Sequence, residues 1–369
     1  MMEIFFSPCS HPGNKYIENI TNGLKERNIQ IENSELSKGL IGKVLRISRR
    51  VFGKKVKVFH YNWLLMLAAD KSFRSYIKVF TMMAYFKLLK LFNKKIVWTM
   101  HNKIPHECHN MKLMLRWRGF VIKNASKIII HCRHESLDIL KGYLTEEEIK
   151  EKAVYIPHGN YIGSYPNSCN NLREALGIDK GDIVFMFVGQ ISRYKNVDIL
   201  IKAFSRLKEK NVKLLVCGWT YDPCLEKEIE SLCTKDSRII CKKGFIPDEE
   251  LVSYLNTSDV NVMPFSKKSM LNSGGLILSL SYGKPVILPH IGITKDMGEK
   301  EFLFCYDYHG SDEHIRSLHK TMKRFIRVFE DRSHYQELCM EGYEYLKENN
   351  GWDSIMSQWV DMYKALEKR

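Results

Sequence analysis

The sequence predicts an α/β protein of two doubly wound, Rossmann-like domains, and three stretches carry this prediction. Residues 183–188 are an unbroken apolar run of strand length, which suits a parallel strand buried on both faces. Gly189 ends that run, and apolar residues then recur at helical spacing over 197–204. A strand, a small-residue loop, a helix and another strand follow in that order over 259–290. The strand, helix and strand over 4–32 open a further domain of this kind.

Composition and periodicity place the remaining elements. In the first half we expect strands at 56–63, 95–99, 126–131 and 154–156, and helices at 15–27 and 72–92. In the second half we expect strands at 214–217 and 238–241 and a last amphipathic helix at 352–368. Residues 160–171 are rich in Gly, Ser, Pro and Asn, which suits a hinge. We therefore expect a first domain over 1–163, a second over 170–350 and a C-terminal segment over 351–369.

Two stretches of the second half have the composition of a phosphate site. Arg193 and Lys195 lie just before the predicted helix 197–204, and a helix N-terminus attracts anions. Ser273, Gly274 and Gly275 let backbone approach a ligand closely, again at a helix start. The pattern is compatible with an ordinary strand-helix unit whose cations are merely solvated. Taken together, the two stretches favour a diphosphate.

The net charge of +15 is placed unevenly. Residues 1–160 hold 28 Lys and Arg against 13 Asp and Glu, and the remainder of the chain is balanced. Such a patch implies an anionic partner. Residues 39–52 form a predicted helix with an apolar face and Lys43, Arg46, Arg49 and Arg50 opposite, which suits an anionic membrane surface. Helix 72–92 is also amphipathic, and the alternative for both helices is that the apolar faces pack in the core.

Other features limit the classes of function. Ten cysteines lie without regular spacing, which predicts reduced thiols in a cytoplasmic protein. We expect no signal peptide and no membrane-spanning helix, because no apolar run has the required length. His101, His106 and His109 lie on a loop broken by a proline, at a spacing that fits no zinc pattern well. No Asp-x-Asp sequence occurs, so we expect a metal-independent site without a cofactor.

The second half resembles the glycosyltransferases with the GT-B fold, nearest to family 4 (group 1). The family's Gly-x-x-x-x-x-Lys turn matches Gly189 to Lys195, its Ala-Asp-Val-x-x-x-Pro matches Ser258 to Pro264, and its Gly-x-Pro-Val matches Gly283 to Val286. Thr-x-His-Asn-x-x-Pro-His-Glu at 99–107 and Pro-His-Gly-x-Tyr at 157–161 resemble segments of bacterial polysaccharide enzymes. The resemblance implies two domains that face each other across a cleft, with helix 351–369 crossing back to the first.

The resemblance also implies roles for individual residues. The donor would be a UDP- or GDP-linked sugar, and the acceptor a saccharide or lipid-linked saccharide in cell-surface polysaccharide synthesis. We expect catalytic roles for His101, His106 and Lys195. The expected substrate-binding residues are His11, Gly13, Asn102, His158, Gly189, Arg193, Phe245, Ile246, Ser273, Gly274 and Gly275. We expect a protein in the cytoplasm that binds the inner face of an anionic membrane through residues 39–57.

Two features depart from the family. The signature of the family contains two glutamates eight residues apart. They would fall near Met270 and at Leu278 in this sequence, and neither position is acidic. Ribose recognition must therefore differ, and retention of anomeric configuration cannot be assumed. If the transfer inverts, the base must come from the first domain, with His101, His106, His11 or Glu107 as candidates. A histidine there would titrate near neutrality, and activity would rise with pH through its pKa.

The sequence leaves two classes of function open. The first is a sugar transferase whose cations stabilise a leaving diphosphate. The second is a non-catalytic basic protein on an ancestral scaffold that binds a membrane or nucleic acid. The Lys195 turn with the Ser-Gly-Gly loop favours the first. The absence of an exposed aromatic platform in helices 39–52 and 72–92 disfavours nucleic acid.

Overall fold

The computed structural model describes residues 2–10, 13–32, 48, 50–167 and 172–368. The chain divides into two compact units. The first comprises Met1–Gly159, Lys268–Asn272 and Trp352–Arg369, and the second comprises Asn160–Lys267 and Ser273–Gly351. Each unit contains one parallel sheet with helices, so the predicted α/β fold with two doubly wound domains is confirmed.

The first unit is built on a six-stranded parallel sheet of order β2-β1-β3-β4-β5-β6. Its strands are β1 (Met2–Ser7), β2 (Ile29–Ile31), β3 (Val56–Tyr61), β4 (Lys95–Met100), β5 (Lys127–Ile130) and β6 (Ala153–Tyr155). Its helices are α1 (Lys15–Glu26), α2 (Phe73–Leu91), α3 (Met111–Asn124), α4 (His134–Lys141), α5 (Glu146–Lys152) and α14 (Trp352–Glu367).

Helix α14 packs in the core of the first unit although it lies at the end of the chain. Ile355, Trp359 and Tyr363 are buried in one cluster with side chains of α1 and of strands β1, β3 and β4. A side chain at Gly23 on α1 would meet Met356 at 2.8 Å, so the two helices approach closely. The apolar stripe that defines the helix in the sequence is therefore the face that it buries.

The second unit has a six-stranded parallel sheet of order β12-β11-β10-β7-β8-β9. Its strands are β7 (Ile183–Val188), β8 (Val212–Gly218), β9 (Ile239–Lys243), β10 (Val260–Val262), β11 (Val286–Pro289) and β12 (Leu303–Tyr306). Its helices are α6 (Leu172–Ala175), α7 (Val197–Phe204), α8 (Pro223–Cys233), α9 (Asp248–Thr257), α10 (Gly274–Ser281), α11 (Gly292–Met297), α12 (Ser311–Glu330) and α13 (Arg332–Asn349). The strand order reverses beside β7, where such sheets bind ligands outside their carboxyl ends.

Most of the predicted basic helix 39–52 lies outside the described residues, and so do its cations Lys43, Arg46 and Arg49. Arg50 is described, and it is not presented to the surface as predicted. Its Nε donates to Glu32 at 3.1 Å, and its guanidinium lies 4.3 Å from the centre of the Phe5 ring. A carboxylate and an aromatic face thus hold this cation against the body of the unit.

Helix α2 buries a different face from the apolar one that the sequence shows. Ser75, Val79, Phe86 and Leu89 are buried, whereas Phe73, with most of the apolar stripe, is exposed. The alternative in which this stripe packs in the core is therefore wrong for its first two turns. The expectation that this helix has no exposed aromatic surface is wrong as well, because Phe73, Tyr76 and Phe80 are exposed. None of the helices in the described parts of the chain is long and apolar enough to cross a bilayer.

Candidate functional site

The turn after β7 places one ammonium group beside a glycine. Gly189 has φ +125°, a backbone conformation that side-chain-bearing residues rarely adopt, and its N–H donates to Cys217 at 3.0 Å. The chain then passes through a 3₁₀ turn, Arg193–Lys195. A Cβ built on Gly189 would lie 3.6 Å from Lys195 Nζ. The conformation of Gly189 thus brings backbone and cation together.

Lys195 is half-buried and carries a charge that no carboxylate neutralises. Its Nζ lies 5.8 Å from the centre of the Phe187 ring and 6.0 Å from that of Tyr194. Within the described residues it forms no ion pair. Burial lowers the pKa of Lys195 to about 8, because desolvation disfavours the ammonium form. An anion bound here would restore the lost solvation.

Arg193 does not share that position. Its guanidinium is exposed and lies 3.3 Å from both Asp222 and Glu228, where α8 begins. These partners, Glu228 first, raise the pKa of Arg193. The expectation that Arg193 supplies charge for the diphosphate is therefore not met in this structure, because two carboxylates already engage it.

The loops after β7 and β10 pack against each other. Asn196 Nδ2 donates to the Pro264 carbonyl at 2.8 Å, and Ser266 N–H donates to the Tyr194 carbonyl at 2.8 Å. Asn196 itself has φ +50°, a left-handed conformation at the start of α7. The two motifs that the sequence shows some seventy residues apart thus form one surface at the carboxyl ends of adjacent strands.

The N-terminus of α10 belongs to the same edge of the sheet. Ser273 caps the helix, accepting from Leu276 N–H at 3.2 Å. A Cβ on Gly275 would meet Met263 at 3.1 Å, and one on Gly274 would lie 3.4 Å from the Tyr161 hydroxyl. The first N–H groups of a helix have no acceptors within it and carry its positive pole. The two glycines let Met263 and Tyr161 pack closely against that pole.

Glycine also ends the next strand of the sheet. A Cβ on Gly218, at the end of β8, would lie 2.0 Å from the Gly189 carbonyl oxygen. Gly244, after β9, has φ +102° and donates to the Gly218 carbonyl at 3.0 Å. The carboxyl ends of β7, β8 and β9 therefore present a row of backbone without side chains.

Aromatic side chains stand beside this row. Phe245, expected at the nucleobase, is 61% exposed, but the side chain of Ile246 is buried in the core, which leaves only its backbone for a ligand. Trp219 and Tyr221 form an edge-to-face pair with ring centres 4.5 Å apart, and Tyr221 is 83% exposed. The sequence analysis does not identify this pair, although Trp219 directly follows Gly218 at the end of β8.

In the first unit, His101 directly follows β4 and lies half-buried beside aromatic side chains. Its Nε2 is 2.8 Å from Asn62 Oδ1, and its ring stacks on Trp63 with centres 4.9 Å apart. Asn62 Nδ2 faces the Ser7 carbonyl at 3.4 Å, so Oδ1 accepts and His101 Nε2 donates. The lone pair of the neutral imidazole is then on Nδ1.

Burial lowers the pKa of His101 well below its usual value, and the neighbouring His131, His158 and His60 lower it further. The expectation that His101 titrates near neutrality is therefore wrong. The imidazole is already unprotonated at neutral pH, as a base must be.

Two further histidines follow β5 and β6 and meet Tyr16 of α1. His131 Nδ1 lies 2.7 Å from the Ile156 carbonyl, so it must donate, and Nε2 then accepts from the Tyr16 hydroxyl at 2.9 Å. His158, expected at the substrate, is buried, and its Nδ1 donates to the Gly159 carbonyl at 2.8 Å. Burial lowers the pKa of His131 to about 4 and that of His158 to about 3. His131 was assigned only to a strand by sequence.

The loop after β4 pairs with the short segment 268–272. His106 Nδ1 lies 2.8 Å from Ser269 Oγ, and the backbone of Asn102 forms an antiparallel bridge with Met270. His106 therefore holds this segment in addition to any contact with substrate. Gly13 has φ +71° in an exposed turn before α1, whereas His11 lies outside the described residues. Glu107 is exposed.

Among the described residues, no group of three His, Cys, Asp or Glu side chains could hold a metal ion.

Residues 169–337 match the family described as "Glycosyl transferases group 1". The matched part makes up a little less than half of the chain. It contains the Lys195 turn, the glycine row and the start of α10. Outside it lie the histidines of the first unit.

Several known proteins are similar in sequence to this chain. A GDP-mannose:glycolipid 4-beta-D-mannosyltransferase of Xanthomonas campestris pv. campestris is 24% identical over 228 residues, which are 59% of this chain and 58% of that protein. A D-inositol 3-phosphate glycosyltransferase of Corynebacterium urealyticum is 28% identical over 188 residues, 47% of this chain and 42% of that protein. The chain thus spans about half the length of the relatives it matches.

Solved structures match the whole chain in fold. Sucrose-phosphate synthase from Thermosynechococcus elongatus has a TM-score of 0.75 at 15% identity, with 100% of both chains covered. Anabaena HepE, in complex with UDP and glucose, has a TM-score of 0.71 at 15% identity, with 99% of this chain and 100% of that chain covered. At this identity the likeness shows the fold, which is that of the GT-B glycosyltransferases.

Proposed function

We propose that the protein is a glycosyltransferase that moves a hexose from a nucleotide-diphosphate sugar to a saccharide or lipid-linked acceptor. The observation that carries this proposal is the ammonium of Lys195, which forms no ion pair among the described residues. It follows β7, the neighbour in the sheet of β10, and the chain after β10 leads to the start of α10. A multiply charged anion fits such a place better than a neutral ligand. The names of the relatives, which include a GDP-mannose enzyme, and the UDP held by HepE point to a UDP- or GDP-linked donor.

The chemistry of the donor explains why this arrangement suits catalysis. When the bond between the anomeric carbon and the diphosphate oxygen breaks, negative charge grows on the leaving diphosphate. Lys195 and the first N–H groups of α10 stabilise that charge, and their stabilisation increases as the bond breaks. This needs no metal ion, and no cofactor beyond the donor itself. The exposed rings of Tyr221 and Phe245, with the half-buried ring of Trp219, provide apolar surface for the nucleobase.

The first unit would bind the acceptor. If the transfer inverts the anomeric centre, a base must remove the proton of the attacking hydroxyl. His101 is suited to this role, because its neutral ring has Nδ1 unprotonated while Nε2 is engaged by Asn62. The name of the first relative specifies a glycolipid acceptor, which supports a lipid-linked acceptor and a role in cell-surface polysaccharide synthesis.

The basic segment 39–57 supports a place at the inner, cytoplasmic face of an anionic membrane. Of its described part, Lys54 and Lys57 are exposed. Cations near an anionic surface contribute about 1 kcal/mol each to binding. The ten cysteines, spaced without a disulfide pattern, agree with a reducing compartment.

A panel of UDP-, GDP- and ADP-sugars tests the proposal, with release of the nucleoside diphosphate as the readout. We expect turnover of at least one donor, retained when a chelator is present. Lys195→Ala should lose about 2–4 kcal/mol of transition-state stabilisation. The matched control is Lys202→Ala, because Lys202 lies on the following helix and is neutralised by Asp198 at 2.9 Å. No turnover of any donor by the folded protein would favour the non-catalytic alternative.

A further inference from the structure

The first two turns of α2 turn their apolar side chains outward. Phe73, Tyr76, Ile77 and Phe80 are spaced three and four residues apart, so they form one stripe along the helix. Phe73 is 77% exposed, Phe80 63% and Ile77 51%, and together with Tyr76 they line a single shallow apolar depression. A folded protein rarely leaves contiguous aromatic and aliphatic surface of this kind without a partner.

Exposed apolar side chains are concentrated in this part of the molecule. Of thirteen large hydrophobic residues that are exposed among the described residues, ten lie between positions 52 and 115, all in the first unit. They are Phe52, Met66, Phe73, Tyr76, Ile77, Phe80, Leu91, Phe92, Met111 and Leu115. The second unit contributes the other three, although it is the larger part of the described chain.

Positive charge accompanies this surface. Residues 50–123 contain sixteen Lys and Arg and only two Asp and Glu. Eleven of the sixteen cations are exposed. Arg74 and Lys78 lie on α2 itself, one residue after Phe73 and Ile77, and both are exposed. The combination of an apolar ridge with flanking cations and almost no acid is complementary to an anionic lipid surface.

We propose that the outward stripe of α2, formed by Phe73, Tyr76, Ile77 and Phe80, inserts into the interface of an anionic bilayer, with Arg74 and Lys78 at the lipid headgroups. This contact is made by α2, whereas the sequence prediction placed the membrane contact on residues 39–57. The proposal rests on the proposed function in one respect: membrane binding would bring the enzyme to a lipid-linked acceptor.

The charge of the region decides against a second copy of the chain as the occupant. Pairing two such faces would bring two cationic surfaces together with two acids on each to offset them. A bilayer with anionic headgroups instead supplies the opposite charge and accepts apolar side chains of any shape, so no complementary groove is required.

Co-sedimentation with vesicles tests the proposal. The vesicles contain phosphatidylglycerol and phosphatidylcholine in equal amounts, or phosphatidylcholine alone. The variant Phe73→Ser, Ile77→Ser, Phe80→Ser removes the stripe, and Met340→Ser is the control, because Met340 is 62% exposed on a helix of the second unit. A second pair compares Arg74→Gln, Lys78→Gln with Lys320→Gln, Lys323→Gln, which are exposed cations of α12.

We expect the stripe variant to bind the anionic vesicles at least about tenfold more weakly, at low and at high salt. The Arg74 and Lys78 variant should lose binding mainly at low salt, since ions screen its contribution. Both controls should bind as the wild type does. Donor hydrolysis should be unchanged in all four variants, so that a failure of anchoring is distinguished from a failure of the proposed activity.

Three results would overturn the proposal. Equal vesicle binding by wild type and stripe variant would place the contact elsewhere. A dimer of the wild type that the stripe variant dissociates would make a second copy the occupant. A thermal midpoint lowered by several degrees in the stripe variant, with vesicle binding retained, would show that the stripe is covered by another part of this chain.

Discussion

At the scale of single residues, Lys195 holds a charge that the free protein does not compensate. Its ammonium has lost part of its hydration, and the rings of Phe187 and Tyr194 lie near enough to favour a cation. With its pKa lowered to about 8, Lys195 is mostly protonated near neutral pH, but a larger fraction of it is neutral than of an exposed lysine. A bound diphosphate would favour the charged form and raise that pKa again.

The affinity for donor should therefore fall as pH rises through about 8 in the wild type. Above that value Lys195 is neutral in the free protein, so binding must first recover a proton. Lys195→Arg keeps a charge at every pH and should flatten the profile, whereas Lys195→Ala should bind weakly throughout. Calorimetric titration with a nucleoside diphosphate at a series of pH values measures this. A profile in the wild type as flat as that of Lys195→Arg would remove Lys195 from the site.

His101 is the residue on the acceptor side with the most specific prediction. His101→Ala should lower turnover about 100-fold or more while donor affinity stays unchanged. Because the pKa of His101 lies well below 6.5, wild-type turnover should show no histidine titration between about pH 6 and 8. His109→Ala is the control, since His109 is an exposed histidine of the same loop. Full turnover by His101→Ala would exclude its role as base.

At the scale of elements, the sequence predicts the site of the second unit best where local chemistry determines structure. Strand β7 and helix α7 occupy the predicted residues, since an apolar run ended by glycine and a helical period after it allow few alternatives. The partners of Arg193 were not predictable, because Asp222 and Glu228 come from a helix about thirty residues later. His131 was missed because the sequence shows where a strand ends but not which loops meet there.

Helix α2 shows a further limit of periodicity. The spacing of Phe73, Ile77 and Phe80 identifies a stripe, but a stripe can face a core or a partner outside the chain. The opposite face is buried through Val79, Phe86 and Leu89, which are also apolar. A helix that is apolar on two sides gives no indication from sequence alone of which side the protein covers.

The close approach of β7 and β8 gives a prediction for an element. Gly218→Ala should lower the free energy of unfolding of the second unit by about 3 kcal/mol, because its Cβ would overlap the Gly189 carbonyl oxygen at 2.0 Å. The control is Gly181→Ala, where a Cβ meets nothing within 4 Å. Urea unfolding of both variants, followed by circular dichroism, measures the difference. Equal stability of the two would mean that the turn at Gly189 moves easily, contrary to the packing described.

At the scale of the whole molecule, the buried histidines make the first unit sensitive to acid. Burial lowers the pKa of His60 to about 3, with smaller effects from His131, and it lowers those of His131 and His158 to about 4 and 3. In the unfolded chain each has a pKa of 6.5, so between these values the unfolded state binds more protons. Stability is then fully present above pH 6.5 and declines as the pH falls below it.

Three such groups should together cost about 4 kcal/mol per pH unit below pH 6, at about 1.4 kcal/mol each. Tryptophan fluorescence reports this unit, because Trp219 is the only one of the six tryptophans in the second unit. The urea midpoint of the wild type should fall steeply from pH 6 to 4, and that of His131→Phe should fall less steeply. The control His309→Gln, which changes an exposed histidine, should show the same pH dependence as the wild type. A wild-type midpoint independent of pH over that range would contradict the burial of neutral imidazoles.

For the function of the whole molecule, the sequence predicts a candidate site for a diphosphate and little more of the donor site. The motifs around Lys195 and Gly274 specify backbone and charge, which are set locally. The contacts to the nucleobase and the ribose are not determined by local sequence. Leu278 and Met270 stand where the family has acids, and both side chains are at least partly buried. What replaces those acids depends on side chains that only the folded unit brings together, such as Trp219 and Tyr221.

The central claim is that the turn from Gly189 to Lys195 and the start of α10 recognise a diphosphate. Calorimetric titration of the nucleoside diphosphate and of the matching monophosphate, at neutral pH, tests this most directly. The diphosphate should bind at least about tenfold more tightly to the wild type and to Lys202→Ala, and Lys195→Ala should lose most of that advantage. Equal affinity of the two nucleotides for the wild type, or an unchanged preference in Lys195→Ala, would contradict the account.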